Sequence, residues 1–138
     1  MVVTSNEAER IAGDVLSIHD EILGISIMDR RGNILATNSK ESFREAFGVD
    51  EDREKYGATL AIGIYTLVNE LKDLFGEAQF IITVHENCKL MLLPVPSFQL
   101  LVGLVFQRSV NAEDHKIVSE IQVLVADALN HSSSSSNL

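Results

Sequence analysis

Three apolar runs follow one another between Ala78 and Arg108: "AQFIITVHE", "KLMLLPV" and "FQLLVGLVFQR". Only the short turns "ENC" and "PVPS" mark their boundaries. This spacing constrains the fold more than any other feature of the chain. Links so short join antiparallel neighbours, because a parallel crossover takes a dozen or more residues. In the first run Phe80, Ile82 and Val84 alternate with Ile81. In the third, Leu100, Val102 and Leu104 alternate with Leu101 and Val105. Strands that are apolar on both faces require a sheet covered on both faces.

The rest of the chain supplies the cover and two more strands. A helix is expected over Asn6–Glu21, with Ser5 as cap and Ile11, Val15, Ile18 and Ile22 on one face. "ILGISIMD" reads as a strand with Leu23, Ile25 and Ile27 on one side and Ile22, Gly24, Ser26 and Met28 on the other. The turn "DRRGN" follows, and its Gly32 and Asn33 tolerate the positive φ of a tight hairpin. "ILATN" is the second strand. "NSKESFREAFG" reads as a short helix, capped by Asn38 or Ser39, with Phe43, Ala46 and Phe47 apolar and Gly48 as its stop. "VDEDREK" is charged and exposed, either a loop or the first turns of the next helix.

A central helix is expected over Ala58–Phe75, ended by Gly76, and a last helix over Ala112–Leu129. The last helix has Asn111 as cap and Ile117, Ile121, Leu124, Val125 and Ala128 on its buried side. The final "HSSSSSNL" is low in complexity and is expected to be disordered. The order is therefore α-β-β-α-β-β-β-α. The fold class is α/β (α+β): a three-layer α/β/α sandwich around one five-stranded, mostly antiparallel sheet.

Composition narrows the function. At 138 residues the chain is expected to form one domain, residues 6–130, followed by a serine-rich tail, 131–138. The formal charge is −9, with no basic stripe of the kind a nucleic-acid binder needs. The acidity is spread over the first helix, residues 38–57 and the last helix. It reads as solvated helix faces, or more sharply as an acidic patch for a basic partner. Cys88 is the single cysteine, so no intramolecular disulfide forms. "MVVTSNEAER" lacks the basic-then-apolar order of a signal peptide. The longest apolar stretch, Leu90 to Phe106, is interrupted by Pro94, Pro96, Ser97 and Gln99 and does not suit a hydrocarbon layer of about 30 Å. A soluble, cytoplasmic protein with no membrane span is expected.

Reactive groups are sparse. His85, Glu86 and Cys88 in "HENCK" have the spacing to share a metal or to form a nucleophile pair. No second Cys or His pair completes a four-ligand zinc site, so the plainer reading is a polar hairpin turn with one thiol. Asp29, Arg30 and Arg31 have the charge to touch a phosphate, though a solvated hairpin tip accounts for them as well. No G-x-S-x-G elbow, G-x-x-x-x-G-K-[ST] loop or G-x-G-x-x-G motif is present. No catalytic residue, metal or cofactor is expected, and the chain does not read as an enzyme.

The central helix carries the strongest functional signal. Leu60, Ala61, Ile62, Ile64, Tyr65, Leu67, Val68, Leu71, Leu74 and Phe75 make it apolar on more than one side. Such a helix either packs between the sheet and the 39–49 segment or forms a subunit interface. Gly63 in its interior costs about 1 kcal/mol relative to Ala, a cost that close approach by another backbone would explain.

Together these stretches resemble the roadblock / dynein light chain seven domain family. "ILGISIMDRRGNILATN" matches its first hairpin and "TLAIGIYTLVNELKDLFG" its central helix. "QFIITVHENCKLMLLPVPSFQLLVGLVFQR" matches its three-stranded half, and a closing amphipathic helix follows. The resemblance covers about residues 7–130; the segment Ser39–Lys55 is longer and more helical than the usual linker. It implies a non-enzymatic, dimerising adaptor or regulator. Its partners would be a second copy or a related roadblock-type subunit and, as in many of these domains, a small Ras-like GTPase. It implies pairing through the central helix and the third strand: Leu60, Gly63, Ile64 and Leu67 with Phe80, Ile81, Ile82, Thr83 and Val84. The third strand would lie at the sheet edge, where "FIITV" has no Lys or Pro to prevent pairing with another chain. Profilin-like and PAS-like architectures are more distant resemblances. They imply a small-ligand sensor with an internal cavity, against which the bulky Phe, Leu and Ile content points to a filled core.

Overall fold

The computed structural model describes residues 3–109 and 114–136. Ser5–Ile18 form α1, Ile22–Asp29 β1, Ile34–Ser39 β2, Glu41–Phe47 α2, Glu51–Asn69 α3 and Lys72–Phe75 α4. Ile81–Val84 form β3, Cys88–Val95 β4, Leu100–Gln107 β5 and Asp114–Ser136 α5. Every strand pairing is antiparallel, and the order across the sheet is β2-β1-β5-β4-β3. Helices α1 and α5 cover one face and α2 and α3 the other, which makes the expected three layers.

The main core lies between the sheet and α1/α5. It combines Ala8, Ile11, Ala12 and Val15 of α1, Ile25 and Ile27 of β1, Met91 and Leu93 of β4, Phe106 of β5 and Ile121, Val125 and Leu129 of α5. The His19 ring nitrogen Nε2, 2.6 Å from Glu120 Oε2, ties the end of α1 to α5. A smaller core on the other face joins Met28 and Leu101 to Ala58, Ala61 and Tyr65 of α3.

Several boundaries differ from the sequence reading, each for a local reason. Thr4, not Ser5, caps α1: its Oγ1 accepts the Glu7 N–H at 3.2 Å while the Glu7 carboxylate reaches back to Thr4, a reciprocal capping box. Helix α1 ends at Ile18, which is exposed, where the backbone of His19 turns extended, and Ile22 belongs to β1. Ile22 also shares the main core with Ile25 and Ile27, against strict alternation. A bulge is the cause: Ile22 opposes Phe106 and Gly24 opposes Val105, so one extra β1 residue shifts the pleat. Lys40 precedes α2 without a side-chain cap, in place of Asn38 or Ser39, which belong to β2. Gly48 ends α2 in the left-handed region, φ 58°.

The charged segment after Gly48 is helix. Asp50 accepts the Arg53 N–H at 2.9 Å, and Glu51, Asp52 and Glu54 fill the first turn, where carboxylates complement the helix dipole. Helix α3 thus starts at Glu51 rather than Ala58 and stops at Asn69, with the separate turn α4 beyond it. β3 is shorter than the expected Gln79–Glu86. Cys88 and Pro94 lie in β4, and a 3-10 turn, Pro96–Phe98, leads to Gln99 at φ 56°. Backbone helix α5 runs through Ser136, past the expected end at Leu129. Its buried set includes Val118 and Leu129, with Leu124 and Ala128 only half-buried. The expected cap Asn111 and the last two residues lie outside the described residues.

Candidate functional interface

The hairpin between β1 and β2 is structural. Its Asp29 carboxylate accepts the backbone N–H groups of Arg31 (2.9 Å) and Asn33 (3.0 Å) and the Asn33 side-chain amide (2.9 Å). Burial would raise the Asp29 pKa. The hydrogen bonds from Asn33 and Arg31 and the Arg31 charge outweigh it and hold the carboxyl below its ordinary value. Gly32, at φ 87°, takes the turn's left-handed position, and a Cβ there would lie 3.5 Å from Ile62 of α3. The Arg30 guanidinium sits 5.2 Å from the Tyr65 ring centroid, a cation–π contact. The hairpin tip therefore clamps α3.

The "HENC" turn does not bring His85 and Cys88 together as reactive partners. His85 Nε2 lies 2.9 Å from Thr83 Oγ1. Only the His85 backbone N–H reaches Cys88, at its carbonyl oxygen. Burial pushes the Cys88 thiol up, the wrong direction for a nucleophile at neutral pH. Among the described residues, no group of three or more His, Cys, Asp or Glu side chains is placed to hold a metal ion.

The fold leaves one side of α3 uncovered, and the sheet ends in two strands, β2 and β3, each paired on one side only. Along α3 the sheet-facing residues are Ala58, Ala61 and Tyr65. Tyr56, Leu60, Ile64, Leu67 and Leu71 recur at steps of four, four, three and four on another side, and all are exposed, Leu67 by 73%. Leu74 and Phe75 of the separate turn α4 are also exposed, by 77% and 79%. Gly63 is exposed beside the stripe, and a Cβ there would meet nothing within 4 Å. No contact within the protomer explains the glycine.

β3 is an edge strand, paired only with β4. The His85 N–H bonds to Cys88, hence toward β4. Donors two residues apart point to the same edge, so those of Thr83 and Ile81 also face β4. The N–H groups of Ile82 and Val84 face the open edge. Val84 is 58% exposed. Phe80 and Ile82 pack on the main core and Ile81 on the smaller one, so these side chains serve the protomer itself while the backbone edge stays open. Tyr56 extends the exposed stripe beyond the apolar positions the sequence singled out, and its spacing of four from Leu60 is a visible signal.

Stripe and edge flank one cavity of about 450 Å³ between α3, α2 and the sheet. Leu60 and Ile64 line it from the helix, and Thr83, His85 and Leu90 from the sheet. The cavity is half open to solvent and lies beside the smaller core, sharing Met28, Ala58 and Ala61 with it. Small residues create the space: Gly24, Ser26 and Gly103 on the floor and Gly57, Ala58 and Ala61 on the roof.

An antiparallel five-stranded sheet between a helix pair and a central helix has solved counterparts. A Roadblock/LC7 domain from Streptomyces avermitilis superposes with a TM-score of 0.70 at 14% identity, covering 89% of this chain and 95% of that chain. The chain has a roadblock fold. Two MglB structures share the roadblock likeness. The gliding protein MglB of Thermus thermophilus gives a TM-score of 0.69 at 19% identity, over 94% of this chain and 92% of that one. Myxococcus xanthus MglB gives 0.64 at 15%, over 95% and 87%. No family model and no curated protein matches the sequence. The roadblock fold here has no helix among the described residues long and apolar enough to cross a membrane.

Proposed function

We propose that this chain is a non-enzymatic, cytoplasmic adaptor or regulatory module that pairs with a second copy, or with a related roadblock-type subunit, and acts on a small Ras-like GTPase. The observation that carries the reading is the juxtaposition of an open β3 edge with an exposed apolar stripe on α3. An unprotected edge invites strand pairing, and a contiguous apolar stripe favours burial against another chain. The likeness to MglB supports a regulatory role, because roadblock domains commonly serve small GTPases. The raised pKa of the Cys88 thiol and the engagement of the His85 ring with Thr83 favour a role exerted by binding alone.

The test is capture on the immobilised chain of small GTPases from the source cell, each loaded with GDP or with a GTP analogue. A Ras-like GTPase retained in one nucleotide state, and lost with Leu67→Glu, is the expected result. Retention of none in either state contradicts the GTPase assignment.

A further inference from the structure

The cavity has a shape that names its occupant. Two rows of residues directly opposite one another form its floor. Ser39, Gly24, Val105, Leu90 and Thr83 make one row, and Thr37, Ser26, Gly103, Leu92 and Ile81 the other. Each row contains one residue from each of the five strands, so the cavity crosses the whole sheet. Four strand spacings of about 4.8 Å give it a length of about 19 Å. Dividing 450 Å³ by that length leaves a mean cross-section of about 24 Å², room for one extended chain and not for two.

Most of the lining is apolar; its polar members are Ser26, Thr37, Asn38, Ser39 and Thr83 on the sheet, His85 just beyond β3, and Arg53 and Glu54 on α3, and Ser26 Oγ and Thr37 Oγ1 lie 3.4 Å apart. Arg53 and Glu54 bring one positive and one negative group to the lining near the start of α3. Arg53 lines the cavity at the α2–α3 junction, and its Nη1 donates to the Phe47 carbonyl at 3.1 Å. Among the described residues no carboxylate, that of the neighbouring Glu54 included, is within ion-pair distance of Arg53. Its remaining donors are available to an anion, and guanidinium geometry suits a carboxylate.

We propose that this cavity binds one long-chain fatty acid, its hydrocarbon chain laid across the strands and its carboxylate held by Arg53. The site does not depend on the GTPase reading. Leu60 and Ile64 belong both to its wall and to the α3 stripe, so the ligand adjoins the surface used for pairing.

The experiment is a fluorescence titration of the delipidated full chain with cis-parinaric acid, followed by displacement with palmitate and with hexadecanol. Saturable uptake of one probe per chain is expected. Gly57 lines the cavity, and a Cβ there meets nothing within 4 Å, so Gly57→Leu fills the space without displacing backbone. It should weaken uptake at least tenfold at unchanged helix content, and Ser26→Leu should do the same from the floor. Arg53→Gln should weaken palmitate several-fold and leave hexadecanol unchanged. No saturable uptake by the wild type overturns the proposal, as does uptake that neither filling variant reduces. Uptake only by the Leu67→Glu variant also overturns it, because a second copy would then occupy the cavity. An equal effect of Arg53→Gln on acid and alcohol overturns the carboxylate assignment.

Discussion

Asp29 organises the turn that holds α3, and its ionised form is the one the turn stabilises. Its folded pKa lies below the ordinary 3.8, so its contribution to stability is complete above that pH and is lost as pH falls through the lowered folded value. Asp29→Asn should cost about 1 kcal/mol near neutrality, the usual worth of such hydrogen bonds. It should also flatten the fall in melting temperature as pH is taken from 3.8 downward. Thermal melts of both proteins across that range check this; parallel curves would contradict it. At this scale the sequence was informative wherever chemistry is local. Gly32 and Asn33 announce the turn because few residues accept its backbone geometry. The partner of Arg30 was not legible, because Tyr65 meets it only through the packing of α3 on the sheet.

Among the elements, β3 gives the sharpest test. Proline removes a donor, and its effect depends on where that donor points. The Thr83 N–H serves β4, so Thr83→Pro should break the internal ladder and unfold or strongly destabilise the domain. The Val84 N–H faces the open edge and its side chain is largely exposed, so Val84→Pro should leave a folded domain that no longer pairs. Ile82→Pro removes an outward donor too, but it also sacrifices packing on the main core and is the less clean variant. Circular dichroism and analytical ultracentrifugation of Thr83→Pro and Val84→Pro decide the matter. Dimers from both would exclude edge pairing. The strands themselves were readable from alternation, and β1 was placed correctly. The bulge at Ile22–Gly24 was not, because it arises from the register against β5. The start of α3 was obscured because its first turns contain acids and no apolar periodicity; the dipole and the Asp50 cap, not burial, sustain them.

On the scale of the whole molecule, layering and the hairpin adjacencies β1–β2, β3–β4 and β4–β5 followed from short links and two-sided apolar strands, whereas the β1–β5 pairing has no short link to announce it. The cavity did not follow either, because the residues that open it come from separate strands and a helix and meet only once the register is set. The same register leaves β3, one of the two outer strands, and one helix stripe without a partner in the protomer. Self-association through that surface is the central claim, and sedimentation equilibrium at micromolar concentration tests it most directly. Leu67 is exposed and absent from both cores, so Leu67→Glu should spare the fold and reach only the interface. The wild type should sediment with twice the mass of one chain, and Leu67→Glu with the mass of one chain at unchanged helix content. A wild type that stays at the mass of one chain, or a Leu67→Glu variant that dimerises as well as the wild type, would contradict the account.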